Sequence, residues 1–210
     1  MSHAADPVAV PPKTVAVSVS ARHVHLSRAD CDRLFGTGYE LVPDRPISQP
    51  GQWAAVEKLN LVGPRGRIDG VRIIGPLRKE SQVEIARTDE IKLGLDAPIR
   101  LSGELAGTPG LVLEGPRGPV PIDHGVIQAQ RHIHASPAEA EALGVADREE
   151  VQVRVTDPDG ERSLVFDDVI VRVSPDYALE MHVDTDEGNA CDWQPGFRGH
   201  VIRKGFASHR

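Results

Sequence analysis

The stretch Arg22-His23-Val24-His25 occurs a second time in the chain as Arg131-His132-Ile133-His134. Successive side chains of an extended segment point to opposite faces, so the two histidines of each copy share a face. Two imidazoles at positions i and i+2 on one face form a metal-chelating geometry. Neutral imidazole nitrogen suits zinc and its transition-metal neighbours. The repeated stretch therefore predicts two metal-binding groups, one in each of two related halves.

The residues that follow each copy also repeat. Residues 27–36 and residues 136–144 both begin with Ser, carry an acidic residue three positions later and end with Gly. Ser followed by an acid at that spacing is typical of a helix N-terminus, and Gly is typical of the position just after a helix. Each His-x-His strand is thus predicted to lead into a short helix, which indicates an internal duplication.

The remaining sequence is typical of short strands joined by turns. The chain has 17 Pro and 20 Gly, and only 4% of its residues are aromatic. Alternating apolar residues predict strands in the same order in both halves. These strands cover residues 15–20, 58–62, 71–74, 81–85, 99–103, 111–113 and 120–122 in the first half and 151–155, 163–166, 169–173 and 179–182 in the second. A Thr-Asp-Glu sequence follows the last strand of each half, with one extra residue before the second copy.

The predicted fold is therefore mainly β, with two related β-barrel-like domains and short capping helices. We expect a disordered leader at residues 1–14, a first barrel at residues 15–125, a second barrel at residues 126–205 and a tail at residues 206–210. The leader is rich in Ala and Pro and lacks the apolar core of a signal peptide. The metal groups are expected to meet between the two barrels.

Charge and apolar content exclude several partners. The formal net charge is −7, so neither nucleic acid nor a membrane surface is an expected partner, although a local basic pocket for an anionic substrate stays compatible with it. The sequence contains no apolar run of about 18 residues, which a transmembrane helix requires. Cys31 and Cys191 form no C-x-x-C motif, which favours a reduced, cytoplasmic protein.

Five stretches together carry a resemblance to a known family. They are Arg22-His23-Val24-His25-Leu26-Ser27, Gly75-Pro76-Leu77-Arg78, Gln82-Val83-Glu84-Ile85, Arg131-His132-Ile133-His134 and Asp186-Glu187-Gly188-Asn189-Ala190. In this combination the chain resembles the propanediol-utilisation-type phosphate acyltransferases, also called phosphate propanoyltransferases. The resemblance extends from about Val15 to Gly205, which is nearly the whole chain.

The resemblance implies a two-barrel fold and an enzyme that interconverts acyl-CoA plus phosphate with acyl phosphate plus CoA. It further implies a dinuclear zinc site, with two ions per chain, and a phosphate-binding role for Arg78. The metal ligands that it implies are His23, His25, Glu84, His132, His134 and His182.

The resemblance also bears on coenzyme A and on location. Ser18, Val19, Ser20 and Asn189 fall where that family contacts CoA. Family members associated with bacterial microcompartments carry an amphipathic N-terminal extension, whereas residues 1–14 are few and include three prolines. The resemblance therefore leaves open whether the protein lies within a microcompartment and binds shell or enzyme partners there. A homo-oligomer is also open.

The residue chemistry supports this interpretation independently. Five His and one Glu supply about three ligands to each of two metals and leave positions open for substrate. The planar guanidinium of Arg78 matches phosphate better than a lysine would. Lys58 and Arg65 are candidates for the CoA phosphates, although basic residues on strands and turns are usually surface residues. Arg22 and Arg131 are expected on the strand face opposite the histidines.

Two other classes of function share these residues. The first is a dizinc hydrolase that acts on thioesters or phosphate esters, in which water attacks in place of phosphate. The second is a non-catalytic β module stapled by metal. The acyl group also stays open, because acetyl and propanoyl differ by one methylene, which an apolar pocket discriminates by only about 1–3 kcal/mol.

Overall fold

The computed structural model describes residues 13–156 and residues 162–203. The predicted tail and most of the predicted leader lie outside these residues. Strands dominate the described chain, so the prediction of a mainly β fold with short helices is confirmed. No helix within the described residues has the length and apolar character needed to cross a membrane.

One group of strands closes into a barrel. Six strands of the described chain form it, in the spatial order β1-β14-β11-β13-β12-β15. Their bounds are β1 Thr14–Val19, β11 His132–Ala135, β12 Glu150–Val155, β13 Leu164–Val173, β14 Glu180–Val183 and β15 Arg198–Arg203. β1 pairs with both β14 and β15, and this pairing closes the ring.

The other strands form an open sheet of nine strands in the described chain. Their bounds are β2 His23–His25, β3 Pro43–Pro46, β4 Trp53–Val62, β5 Arg67–Gly75, β6 Gln82–Ile85, β7 Ile99–Arg100, β8 Leu111–Gly115, β9 Gly118–Ile122 and β10 Val126–Ala129. β2 lies between β5 and β6, just as β11 lies between β13 and β14 in the barrel. The equivalent pairing is the structural expression of the internal duplication.

The chain changes sheets at each Arg-His-x-His stretch. β1 belongs to the barrel, whereas β2, which follows it directly, belongs to the open sheet. β10 belongs to the open sheet, where it pairs with β6, and β11 belongs to the barrel. The predicted division between residues 125 and 126 therefore does not separate the two sheets. Alternating apolar residues predict β1 but not β10, and they do not identify the strands with which either of the two pairs.

Four short helices cap the sheets in the described chain: α1 Arg28–Phe35, α2 Arg87–Leu93, α3 Pro137–Leu143 and α4 Thr185–Ala190. Ser27 and Ser136 are the N-caps of α1 and α3, and each hydroxyl accepts the backbone N–H three residues on. Gly144 ends α3 in the left-handed conformation, which glycine adopts without a steric cost. Both helices that follow the His-x-His strands are therefore present as predicted.

Each sheet surrounds its own apolar core. In the barrel, Val15 and Val17 of β1 pack with side chains from the second half, such as Ile133 and Met181, and all four are at most 2% exposed. Burial of one such aliphatic side chain contributes about 1.5–3 kcal/mol. The barrel core thus depends on a strand that precedes the whole open sheet in sequence.

Candidate functional site

The first histidine pair meets Glu84 at the surface of the open sheet. The antiparallel register of β2 and β6 places His23 opposite Glu84. Oε1 of Glu84 lies 3.6 Å from Nε2 of His23 and 3.9 Å from Nε2 of His25, and the two Nε2 atoms are 3.1 Å apart. These three ligand atoms lie close enough together to hold one metal ion.

Backbone carbonyl groups orient both imidazoles of this pair. Nδ1 of His23 lies 2.9 Å from the carbonyl oxygen of Ala21, and Nδ1 of His25 lies 3.0 Å from that of Ile74. A carbonyl oxygen only accepts hydrogen bonds, so each Nδ1 carries a proton, and in the neutral ring Nε2 is the nitrogen that keeps its lone pair. The backbone therefore selects the tautomers that a metal ligand needs.

Burial and neighbouring charge set the protonation of this group. Burial lowers the pKa of His25 well below its usual value, and His23 and Arg78 lower it further. Burial alone would raise the pKa of Glu84, but His23 and His25 hold it well below its usual value. At neutral pH the group thus contains a neutral His25 and an ionised Glu84.

The second histidine pair meets His182 on the barrel. The register of β11 and β14 places His132 opposite His182. The ring centroids of His132, His134 and His182 are 4.5 to 5.1 Å apart. Both ring nitrogens of His134 and Nε2 of His182 are buried without a hydrogen-bond partner among the described residues. Buried nitrogens without partners are costly, and a bound cation would relieve that cost.

His132 and His134 are neutral at neutral pH. Burial lowers the pKa of His132 to about 3, with a further contribution from His182. Burial also lowers the pKa of His134 to about 2, and His132 and His182 contribute to this lowering. Neutral imidazole is the form that binds metals. The donor set of this group therefore fits a cation such as zinc.

Glu84 and His182 occupy equivalent positions in the two halves. Each stands opposite the first histidine of its pair. Each also lies three residues before the first residue of a helix, which is Arg87 in α2 and Thr185 in α4. The halves thus match here without an insertion, and the extra residue inferred from the Thr-Asp-Glu sequences is wrong. Those sequences are offset by one position because they begin at different positions of α2 and α4.

Glu180 is a buried carboxylate beside the second group. It accepts hydrogen bonds from the hydroxyl groups of Ser18 and Ser48, and its Oε2 lies 3.1 Å from Nε2 of His182 without hydrogen-bond geometry. Burial would raise the pKa of Glu180, but His182 and the two hydroxyl groups lower it to about 2. The sequence interpretation missed Glu180 because its role depends on contacts with β1 and with the loop at residue 48.

Both histidine groups open into one cleft of about 490 Å³. Five arginines line the cleft, and Glu84 is the only acidic residue among the described residues that line it. The arginines are Arg22, Arg45, Arg72, Arg78 and Arg172. In a chain of net charge −7, this local excess of positive charge favours anionic substrates.

Arg78 projects into the cleft from the segment that follows β5. β5 ends at Gly75, where a side chain would come within 2.4 Å of the Trp53 ring. The backbone N–H of Arg78 donates to the carbonyl oxygen of Leu26 at 2.8 Å, which holds Arg78 beside the end of β2. Its guanidinium donates to Oγ of Ser102 at 3.0 Å, so Ser102 also belongs to the cleft.

Arg22 and Arg131 have equivalent partners. The guanidinium of Arg22 lies 2.8 Å from Asp89, and that of Arg131 lies 3.1 Å from Glu187. Asp89 and Glu187 are the third residues of α2 and α4. These ion pairs fasten each Arg-His-x-His stretch to a helix.

The predicted CoA-contacting residues divide into two sets. Ser18, Val19 and Ser20, at the end of β1, line the cleft. Lys58 on β4, Arg65 in the following turn and Asn189 on α4 are exposed, and none of the three lines this cleft. The sequence interpretation missed Arg45, Arg72, Arg172 and Tyr177, because strand pairing and loop packing bring them into the cleft.

The fold and the site together are those of an enzyme with a histidine-rich cleft for anionic substrates. The sequence model described as phosphate propanoyltransferase matches residues 16–194. A phosphate propanoyltransferase of Thermotoga maritima is 56% identical over 188 residues, which make up 90% of this chain and 89% of that protein. A phosphate propanoyltransferase of Listeria monocytogenes is 50% identical over 90% of this chain and 88% of that protein. The chain belongs to the phosphate propanoyltransferase family and is an acyltransferase.

Proposed function

We propose that the cleft interconverts propanoyl-CoA plus phosphate with propanoyl phosphate plus CoA. The observation that carries this proposal is the convergence of both histidine groups and Arg78 in one positively charged cleft. Both substrates are anions, which the excess of arginine side chains would attract. The apolar side chains of Ile47, Ala54 and Ile74 also line the cleft and suit a short acyl chain.

We further propose that the cleft binds two zinc ions. His23, His25 and Glu84 would hold one ion, and His132, His134 and His182 would hold the other. The unpartnered nitrogens of His134 and His182 support the second set. Bound zinc would act as a Lewis acid that polarises the thioester carbonyl. Three protein ligands for each ion would leave room for substrate, as catalytic sites require.

In the proposed reaction a phosphate oxygen attacks the carbonyl carbon of the thioester. A C–O bond forms, the C–S bond breaks and CoA leaves with the electron pair of that bond as a thiolate, which takes a proton from solvent. Phosphate is an anion at neutral pH and needs no base to become a nucleophile. Arg78 would hold the phosphate oxygens through its planar fork, and Ser102 would keep that fork in place.

CoA would enter along the end of β1. Ser18, Val19 and Ser20 line this side of the cleft, although the hydroxyl group of Ser18 already donates to Glu180. Arg45 is exposed and lines the cleft, so it is well placed for the CoA phosphates. Lys58, Arg65 and Asn189 would contact CoA only where it extends beyond the cleft.

Turnover measurements test this function and separate it from the hydrolase alternative. With propanoyl-CoA, release of CoA should depend on added phosphate, and propanoyl phosphate should accumulate and be detected by ³¹P NMR. A hydrolase would release CoA at the same rate without phosphate and would form propanoate. Acetyl-CoA and butanoyl-CoA, compared with propanoyl-CoA at equal concentration, would define the preferred acyl group.

Arg78→Lys tests the phosphate-binding role within the same proposal. The substitution keeps the positive charge but removes the fork, so the phosphate KM should rise and kcat should fall. Arg154→Lys, on an exposed position of β12, is the matched control and should leave both constants unchanged. An unchanged phosphate dependence in Arg78→Lys would place the phosphate site elsewhere.

Removal of metal tests the zinc proposal. A chelator should abolish activity, and added zinc should restore it. Full activity in metal-free protein would contradict the proposal.

We propose a cytoplasmic location as well, with enclosure in a microcompartment as an alternative. Cys31 and Cys191 are both free and buried, which suits a reducing compartment. Cell fractionation with an antibody against the chain would distinguish soluble cytoplasm from a sedimenting compartment.

A further inference from the structure

Arg172 is an arginine of the barrel that faces the same cleft as Arg78. It lies on β13 next to His134 of β11 in the parallel register of these strands. The Tyr177 ring stacks on the His134 ring with a centroid separation of 4.0 Å, and Cζ of Arg172 lies 5.6 Å from the centroid of the Tyr177 ring. Packing against Tyr177 thus holds the partly buried Arg172 side chain beside the second histidine group.

Arg172 has no acidic partner in the part of the chain that the structure describes. Its side chain forms neither a hydrogen bond nor an ion pair with any described residue. By contrast, Arg22 and Arg72, which line the same cleft, pair with Asp89 at 2.8 Å and with Asp44 at 3.1 Å. The guanidinium of Arg172 therefore keeps all its N–H donors available for a ligand.

Arg78 and Arg172 are close enough to influence each other. Burial lowers the pKa of Arg78, Glu84 partly opposes this effect, and the positive charge of Arg172 lowers the pKa further. Two partly buried cations facing one cleft repel each other, so their arrangement is unfavourable while the cleft holds no anion. A bound dianion would attract both guanidinium groups and offset this repulsion.

We propose that Arg172 binds the phosphoryl group of the substrate together with Arg78, so that each sheet contributes one guanidinium to the same anion. This inference rests on the proposed function and adds a residue to it. Phosphate is tetrahedral and carries more oxygen atoms than one planar fork engages, so a second fork has acceptors available. In the reverse direction the same pair would hold the phosphoryl group of propanoyl phosphate.

A two-arginine site also has a consequence for specificity. Each guanidinium contributes charge-assisted hydrogen bonds to the phosphoryl group but none to the thioester end of propanoyl-CoA. Loss of Arg172 should therefore weaken the binding of phosphate and of propanoyl phosphate while leaving the binding of propanoyl-CoA unaffected. If the side chain only supported the fold, its loss would weaken the binding of all three substrates or of none of them.

Three variants of the full-length protein, prepared with zinc, test the inference. Arg172→Met should raise the KM for phosphate and for propanoyl phosphate by about tenfold to a hundredfold, the range expected for lost hydrogen bonds to a charged group. The KM for propanoyl-CoA and the zinc content should stay within about twofold of the unsubstituted protein. The phosphate KM of Arg172→Lys should lie between those of the unsubstituted protein and of Arg172→Met, since lysine keeps the charge without the fork. Arg154→Met, on the neighbouring strand β12, should change nothing.

Two results would overturn the inference. One is an unchanged phosphate KM in Arg172→Met with a lower kcat, which would mean that Arg172 only packs on Tyr177. The other is loss of zinc in both Arg172 variants, which would mean that Arg172 supports the histidine group. Calorimetric titration of each protein with inorganic phosphate provides a readout without turnover. If the unsubstituted protein releases no CoA, the proposed function fails, and equal phosphate affinity in Arg172→Met would separately overturn the role of Arg172.

Discussion

At the scale of single residues, the two halves differ at the position opposite the first histidine of each pair. Glu84 stands at this position in the open sheet and His182 in the barrel. An ionised carboxylate offsets part of the charge of a bound cation, whereas a neutral imidazole does not. The group containing Glu84 should therefore depend strongly on that single carboxylate.

Substitution of Glu84 by Ala should remove about one of the two metal ions that we propose for each chain, because only His23 and His25 would remain in that group. Metal content measured by mass spectrometry checks the prediction. Glu80→Ala is the matched control, since Glu80 is exposed and pairs with His124 at 3.0 Å outside the cleft. An equal loss of metal in both variants would contradict the assignment of Glu84.

Cys191 tests the route of acyl transfer. Its thiol is fully buried, donates to the carbonyl oxygen of Gly188 at 3.4 Å and does not line the cleft. Burial raises the pKa of this thiol, which opposes formation of a nucleophilic thiolate. We therefore expect acyl-CoA and phosphate to react directly in a ternary complex.

Initial-rate plots for the two substrates should accordingly intersect, and Cys191→Ala should keep most of its kcat. Parallel plots would instead indicate a covalent acyl-enzyme. Mass spectrometry of the intact protein after incubation with propanoyl-CoA provides an independent check, because an acyl adduct on Cys191 would refute direct transfer.

At the scale of elements, the sequence predicts the features that depend on interactions between residues close together in the chain. The helices after both His-x-His strands could be predicted because Ser27 and Ser136 cap them through contacts only three residues long. The sheet change at β1 and β10 could not, since strand pairing depends on residues far apart in sequence. The positions of Arg172 and Glu180 relative to the histidines depend on the same distant pairing.

The N-cap of α3 provides a stability test. Ser136 accepts the N–H of Glu139, and Glu139 in turn accepts the N–H and hydroxyl of Ser136. Ser136→Ala removes this capping box and should lower the free energy of unfolding by about 1 kcal/mol. Urea denaturation followed by circular dichroism measures the change.

Ser163→Ala, at an exposed position outside any strand or helix, is the control for this test and should be neutral. A loss of stability in Ser136→Ala no larger than that in the control would show that the cap contributes little. α3 begins three residues after His134, and the same variant should leave the proposed metal content unchanged if the cap stabilises the helix alone.

At the scale of the whole molecule, the two sheets are linked by exchanged strands and by direct contacts. Thr88 of α2 donates its backbone N–H and its hydroxyl to the carboxylate of Asp186 at 2.8 and 2.7 Å. Thr88 and Asp186 are the second residues of the equivalent helices α2 and α4. Each histidine pair directly follows a sheet change, so the strand exchange itself brings the two proposed metal groups into one cleft.

Fragments of the chain test this exchange. A fragment of residues 1–125 contains β1, which lacks its barrel partners there, and lacks β10, which lies between β6 and β7 in the open sheet. A fragment of residues 21–130 instead contains all nine strands of that sheet and no strand of the barrel. The fragments differ in β1, which only the first contains, and in β10, which only the second contains.

We expect residues 21–130 to unfold cooperatively on heating, whereas residues 1–125 should show a broad transition, because β6 and β7 would expose unpaired edges. Differential scanning calorimetry of the two fragments at equal concentration measures this difference. A cooperative transition of residues 1–125 at the same temperature as that of residues 21–130 would show that β10 is dispensable. Neither fragment should catalyse phosphate-dependent release of CoA, since each lacks His132, His134 and His182.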